Sequence, residues 1–130
     1  MSEHKLQNEI RNALCGEGLY FRANVGAGWT GDAKRLPDGS ILIRNPRPFT
    51  TGLPNGFSDL FGIVPVEITP DMIGQRVGIF TSLEIKTLTG RVSPQQKSFL
   101  SAIQNNGGRS GVVRSIEDAL SVIRGEGLQE

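Results

Sequence analysis

The order of secondary-structure elements in the last third of the chain most constrains the fold. Residues 78–88 have the pattern of a strand, and residues 110–114 form a second, shorter one. Between them, Ser93 and Pro94 begin a helix with an N-cap serine and a proline at the first helical position. Another helix follows over residues 115–123. This alternation of strands and helices is typical of an α/β domain.

The rest of the chain predicts one helix followed by strands. Apolar residues recur at helical spacing over residues 6–14, and glycines at 16 and 18 end that helix. Further predicted elements are strands at 19–25 and 59–66, a hairpin of 35–36 with 41–44 around Asp38-Gly39, and a Pro/Gly-rich loop from Pro46 to Gly56. We expect a single α/β domain over residues 1–130, with a small mixed sheet.

Apolar stripes on the last two helices identify a candidate core. Their spacing of three and four residues places the stripe on one side of each helix, where it can pack on the sheet. The residues expected to be buried are Phe99, Leu100, Ile103, Ile116, Ala119, Leu120 and Ile123.

The composition excludes several classes of function. Lys and Arg total 14 against 13 Asp and Glu, and a formal net charge of +1 excludes a protein that coats nucleic acid by bulk charge. Cys15 is the only cysteine and His4 the only histidine, which excludes a Cys-based zinc site and argues against histidine-dependent catalysis. The chain has no long apolar run and no signal-peptide layout, so we expect an intracellular protein.

One strand carries a carboxylate and a lysine at alternate positions. Leu83 and Ile85 should lie on one face of this strand, with Glu84 and Lys86 on the other. A Glu-x-Lys match is expected about 0.5 times by chance in such a chain, and a surface salt bridge is the simpler interpretation. Asp59 strengthens the functional interpretation, because it follows a turn and opens the preceding strand. Two carboxylates, a backbone carbonyl and a lysine at neighbouring strand ends suit Mg²⁺ or Mn²⁺ and phosphodiester hydrolysis.

Four sequence segments together resemble a known nuclease family. Residues 56–61 (GFSDLF), 83–87 (LEIKT), 90–96 (GRVSPQQ) and 107–119 (GGRSGVVRSIEDA) are similar to the VRR-NUC family of the PD-(D/E)XK nuclease superfamily. The resemblance covers residues 9–123 and is that of a stand-alone phage or bacterial member. It implies a restriction-endonuclease-like αβββαβ core, a small mixed sheet flanked by helices, and Mg²⁺- or Mn²⁺-dependent cleavage of DNA.

The same resemblance implies a set of site residues. The residues it assigns to catalysis are Glu9, Asp59, Glu84, Lys86 and Gln96, with Lys86 as the catalytic lysine. The metal ligands it implies are Asp59, Glu84 and the Ile85 backbone carbonyl, with Glu9 binding directly or through water. Ser58 departs from the superfamily pattern, which usually has proline before the aspartate.

Two of these residues have simpler explanations. Glu9 borders the apolar stripe of the first helix, and the helix alone favours a surface carboxylate. Gln96 is the third residue of the helix that Ser93 caps, so its side chain could bond the Ser93 backbone in a capping box. It is also in step with Phe99 and Ile103, which would turn it toward the sheet and the site.

Basic residues near the hairpin and the Pro/Gly-rich loop are candidates for DNA contacts. The candidates are Arg22, Lys34, Arg35, Arg44, Arg47 and Arg91, for which an ordinary solvated charge is the alternative. Trp29 and Phe49 lie near them and could stack on exposed bases, pack in a core or contact a second subunit.

The function expected from sequence is a structure-specific DNA endonuclease. Branched DNA such as a four-way (Holliday) junction is the expected substrate, and a homodimer would bring two active sites to a symmetric junction. The expected setting is the cytoplasm of a bacterial cell or a phage-infected host. The alternatives are a flap, fork or restriction-type nuclease, or a non-catalytic DNA-binding module in which Asp59, Glu84 and Lys86 form a structural ion pair.

Overall fold

A computed structural model describes residues 2–126 of the chain. The elements are α1 Glu3–Ala13, β1 Leu19–Arg22, β2 Ala27–Arg35, β3 Ile41–Thr50, β4 Leu60–Ile63, a 3-10 turn Pro70–Met72, β5 Thr81–Ile85, α2 Pro94–Asn105, β6 Arg109–Val113 and α3 Ile116–Ile123. The backbone divides into two compact units. One joins the chain up to Tyr20 with the chain from Gly62 onward, and the other runs from Phe21 to Phe61.

The strands pair two by two. β1 pairs with β4, β2 with β3, and β5 with β6, so the structure contains small separate sheets. The α/β class and the helix-first order are confirmed, whereas the expectation of one small mixed sheet is wrong for the described residues. The sequence pattern identifies a strand but not its partner, because pairing is decided by contacts distant along the chain. The αβββαβ core of the superfamily stays a prediction.

The β5–α2–β6 segment is a parallel strand pair joined by a helix. β5 and β6 are in register from Thr81 opposite Arg109 to Ile85 opposite Val113. Parallel strands need a crossover connection, and α2 supplies it. α2 begins where the sequence predicts, with Ser93 as N-cap and proline at the start of the helix.

The core lies between these strands and the last two helices. Ile103 is fully buried, and Leu100 and Val113 are buried around it, as is Val122 of α3. Leu100 and Ile103 confirm the predicted stripe of α2. They are three residues apart and therefore share a helix face, and Val122 is a core residue that the stripe analysis missed.

Some stripe residues are exposed instead. Phe99 is 42% exposed and Ile116 is 76% exposed, so their expected burial is wrong. Phe99 is rotated about 100° from Leu100 around the helix and lies off the Leu100–Ile103 line. Ile116 is the first residue of α3, where the helix begins. Ile123, at the other end of α3, is 45% exposed, and Ala119 and Leu120 are half-buried.

The second unit is dominated by the antiparallel β2–β3 ribbon. Its turn confirms the Asp38-Gly39 hairpin signal: the Asp38 carboxylate accepts a hydrogen bond from the Ser40 backbone N–H at 2.9 Å, and Gly39 has a φ of 90°. β3 continues through Pro46 and Pro48, so the loop predicted from Pro46 begins only after Thr50. In a two-stranded ribbon each strand has one free edge, and a proline facing that edge removes no ladder hydrogen bond.

Within residues 2–126, no helix has the length and apolar character needed to cross a membrane.

Candidate active site

The end of β5 presents Glu84 and Lys86 side by side. Glu84 lies opposite Val112 of β6, and the Lys86 backbone N–H continues the ladder by donating to the Val113 carbonyl at 3.0 Å. Alternate residues of a strand point to the same face, and the Lys86 Nζ lies 3.4 Å from the Glu84 Oε1. The side chains are 21% and 28% exposed, respectively, so the ion pair is half-buried.

Gln96 joins this pair to the N-terminus of α2. Its Oε1 accepts from the Ser93 backbone N–H at 2.9 Å, while the Gln96 backbone N–H donates to the Ser93 Oγ at 3.1 Å. Its Nε2 donates to the Glu84 Oε1 at 2.8 Å. The capping box is therefore present and the same side chain also faces Glu84, because the amide has one acceptor and one donor end and uses each for a different partner. The catalytic role of Gln96 stays a prediction.

Groups of positive charge or polarity surround the Glu84 carboxylate. The ammonium of Lys86 and the amide of Gln96 both contact Oε1, and the first turn of α2 brings the positive end of the helix dipole. A half-buried carboxylate needs such partners, because removing a charge from water is costly unless it is paired. The cluster offers a carboxylate oxygen as a ligand for a hard cation and an ammonium group that can stabilise negative charge on a phosphate.

Ile85 separates the two site residues and is 76% exposed. Alternation predicts that Ile85 shares a face with Leu83, which is half-buried. Among the described residues, β5 pairs with β6 in a two-stranded sheet. Neither finding bears on the backbone carbonyl of Ile85, whose role as a metal ligand stays a prediction.

The loop after Lys86 is held by Arg114, which follows β6. The Arg114 Nη1 donates to the carbonyl of Thr87 at 2.5 Å and to that of Gly90 at 2.8 Å. The Arg114 backbone N–H donates to the Asp118 Oδ2 at 2.9 Å, which fixes the start of α3 beside it. The two carbonyls lie 27 and 24 residues away along the chain, and no local motif marks this contact. Sequence analysis therefore missed Arg114 as a support of the site.

Asp59 belongs to the second unit, immediately before β4. Its side chain is exposed, and its backbone carbonyl accepts from the Ala23 N–H at 3.0 Å. The Phe57 and Phe61 rings on either side meet edge to face with centroids 5.4 Å apart, and the Phe61 ring also lies 5.5 Å from the Phe21 ring. Aromatic packing thus orders the segment around Asp59.

Glu9 lies exposed on α1. In the part of the chain that the structure describes, no three or more His, Cys, Asp or Glu side chains lie close enough together to hold a metal ion. The structure brings Glu84, Lys86 and Gln96 together, and the catalytic and metal-binding roles of these three residues, like those of Asp59 and Glu9, stay predictions.

The six predicted DNA-contacting residues are all exposed. Arg22 ends β1, Arg91 precedes α2, and the other four lie on the β2–β3 ribbon. These are Lys34, Arg35, Arg44 and Arg47. Exposure leaves the cationic groups accessible to a ligand.

The α/β segment with a Glu-x-Lys strand and a glutamine from the next helix is consistent with a nuclease-like domain. The chain belongs to the VRR-NUC family, since the sequence model of the VRR-NUC domain matches residues 42–117. This confirms the family identified from the motifs and implies a nuclease-type function that acts on DNA. The matched range includes Asp59, Glu84, Lys86 and Gln96, and Glu9 lies outside it. No curated protein and no solved structure matches the chain.

Proposed function

We propose that this protein is a Mg²⁺- or Mn²⁺-dependent endodeoxyribonuclease that hydrolyses phosphodiester bonds in branched DNA. The observation that carries the proposal is the contact of Lys86 and Gln96 with one oxygen of Glu84. The cluster lies within the range matched by the VRR-NUC model. A structural ion pair needs only the two charges, whereas this carboxylate is also oriented by the capping amide of a helix.

The residues offer the oxygen donors that a hard divalent cation prefers. Glu84 and the Ile85 carbonyl would hold the cation together with Asp59, and Glu9 would bind it directly or through water. When bound, the cation supplies a bound water of lowered pKa and neutralises charge on the phosphate. The Lys86 ammonium would stabilise the anionic phosphate oxygen, and Gln96 would hold the Glu84 carboxylate in a fixed orientation.

We favour a homodimer as the active form and a four-way junction as its substrate. Two active sites related by a two-fold axis can each cut one strand of a symmetric junction. A flap, a replication fork or a restriction-type duplex site is the alternative within the same reaction class. We place the activity in the cytoplasm of a bacterial cell or a phage-infected host, and the exposed free thiol of Cys15 fits a reducing compartment.

The test is nicking of end-labelled DNA with Mg²⁺, Mn²⁺ or EDTA. Four-way junctions, flaps, forks and linear duplex are compared at equal concentration. Wild-type protein should cut with either metal and not in EDTA, and the junction should be the best substrate. Glu84→Gln and Lys86→Ala should each lower the rate by about 100-fold or more, whereas Glu67→Gln, at an exposed acidic position, should leave it unchanged.

The same experiment decides between the enzyme and the non-catalytic DNA-binding module. The binding module predicts that no substrate is cut with either metal and that DNA is still bound. If wild-type protein leaves all four substrates intact, the proposed activity is refuted. If Glu84→Gln cuts as fast as wild type, the assignment of this site is refuted even though an activity exists.

A further inference from the structure

The β2–β3 ribbon has two faces of different chemistry. In an antiparallel pair, residues directly opposite each other project to the same face, and successive pairs alternate. The register pairs Arg35 with Ile41 and Ala33 with Ile43, and the intervening pair of Lys34 with Leu42 therefore lies on the other face.

One face of the ribbon is apolar. Trp29, Ile41, Ile43 and Pro46 line a single shallow depression, which shows that they share this face. Trp29 is 62% exposed and Ile41 is 58% exposed. Arg35 faces Ile41 across the ribbon and is therefore the cation on the apolar side.

The opposite face carries three cations, Lys34, Arg44 and Arg47, because of a bulge, and by the same register it also carries Asp32, Leu42 and Phe49. Arg44 lies opposite Asp32, and Arg47 lies opposite Thr30, so β3 advances three residues where β2 advances two. In a regular strand, residues three apart point to opposite faces, and the extra residue returns Arg47 to the face of Arg44. Asn45 makes the bulge with a left-handed φ of 52°.

Two further contacts fix the bulge and the face. The Asn45 Nδ2 donates to the Asp32 Oδ2 at 3.2 Å across the two strands. A Cβ on Gly31 would lie 2.8 Å from the Arg44 carbonyl oxygen, so glycine is required where the strands approach. The bulge is therefore built into the ribbon by specific residues, and its consequence is a row of Lys34, Arg44 and Arg47.

We propose that this row, the cationic face of the ribbon, binds the phosphate backbone of duplex DNA. The row from Lys34 to Arg47 spans four residue steps of β2, or about 13 Å. Three cations over this length can each contact a phosphate of the DNA backbone, whose charges dominate the affinity of proteins for duplex DNA. A two-stranded ribbon is also narrow enough to follow a DNA groove. The inference rests on the proposed action on DNA and adds which surface holds the duplex.

Equilibrium binding as a function of salt tests this assignment. The probe is a short fluorescein-labelled duplex in EDTA, so that no cleavage occurs, and binding is followed by anisotropy over a range of NaCl concentrations. Lys34→Ala, Arg44→Ala and Arg47→Ala should each weaken binding and reduce the slope of log K against log [NaCl] by about one. The triple variant should lose about three from the slope.

The sequence predicts Arg35 as a DNA contact, and we remove it from that set because the register places it on the apolar face. Arg35→Ala is therefore the matched control, which takes the same charge from the other face of the same ribbon. It should leave the slope at the wild-type value. Far-UV circular dichroism and the thermal midpoint check that each variant is folded. If a variant is unfolded, Lys34→Gln, Arg44→Gln or Arg47→Gln replaces it, with the same change in slope expected.

Three results would overturn the proposal. The wild-type protein could fail to bind the duplex, the triple variant could keep the wild-type slope, or Arg35→Ala could lower the slope as much as the others. The last result would mean that total charge, and not the face, determines binding. The proposed nuclease activity can fail separately. If the protein nicks no DNA but the salt slope falls only in the variants of the cationic face, the ribbon still binds DNA and only the proposed nuclease activity is refuted.

Discussion

Gln96 offers the sharpest test of how the site is built, because its two ends serve two different partners. Its Oε1 caps α2 through the Ser93 N–H at 2.9 Å, and its Nε2 reaches the Glu84 Oε1 at 2.8 Å. Gln96→Ala removes both hydrogen bonds. Gln96→Glu keeps an oxygen for the cap but replaces the donor with a second carboxylate beside Glu84. The pair of variants therefore separates the structural from the site-facing contact.

The expected magnitude follows from these contacts. Losing a helix cap costs about 1 kcal/mol. A hydrogen bond to a charged group contributes about 1.5–3 kcal/mol, and the lower end or less applies because the Glu84 side chain is 28% exposed. Gln96→Ala should therefore lower the free energy of unfolding by about 2 kcal/mol and the Tm by roughly 6–10 °C. Gln96→Glu should cost about 1.5 kcal/mol, from the lost donor and the repulsion of two carboxylates.

Urea unfolding at low and high NaCl is the assay. The destabilisation in Gln96→Glu should shrink at high salt, because repulsion between partly exposed charges is screened. The destabilisation in Gln96→Ala should not change with salt. Gln95→Ala is the control, since Gln95 lies exposed in the same helical turn and should stay within about 0.5 kcal/mol of wild type.

A Gln96→Ala variant as stable as Gln95→Ala would refute the two roles of Gln96. If Gln96→Ala is destabilised but Gln96→Glu matches wild type at every salt concentration, the residue is a cap only. In that case the contact with Glu84 contributes nothing to the free energy of unfolding, and α2 does not hold the Glu84 carboxylate in place.

Three further predictions concern other contacts. Arg114→Lys should lower the free energy of unfolding by about 2 kcal/mol and speed amide exchange in residues 86–90, because both carbonyls accept from the Arg114 Nη1 and the lysine side chain ends one bond shorter. Ile103→Ala should cost about 3–4 kcal/mol in urea unfolding, since this side chain is fully buried. The Ser40 hydroxyl and then the Ser40 backbone N–H lower the pKa of Asp38 below its usual value near 3.8. Ser40→Ala should raise that pKa in an NMR titration.

Each of these has an outcome that contradicts it. Unchanged amide exchange in Arg114→Lys would show that the loop is ordered without the guanidinium. A loss under about 1 kcal/mol in Ile103→Ala would mean that the core is not centred there. For Asp38, a lowered folded pKa contributes stability above pH 3.8, and that contribution is lost as the pH falls through the folded pKa. An Asp38 pKa that does not move in Ser40→Ala would contradict the assigned cause.

Some contacts of the candidate site can be predicted from the sequence and others cannot. Glu84 and Lys86 could be predicted to lie together, because the two-residue period of a strand is a local property. Gln96 could be assigned both a cap and a site role, but not the two at once, since that depends on the distance from α2 to β5. Arg114 could not be predicted at all, because its contact joins segments 24 and 27 residues apart.

In the β2–β3 ribbon, too, some features are predictable from sequence and others depend on the tertiary structure. The sequence by itself determined the turn at Asp38-Gly39, the cationic residues, the VRR-NUC motifs and the α/β order. These features depend only on residues that are close together along the chain. Only the tertiary structure decided that β3 passes through Pro46 and Pro48, and that a bulge turns Arg47 to the face of Arg44 and leaves Arg35 on the other. Register is set by the partner strand, and a shift of one residue moves every side chain beyond it to the opposite face.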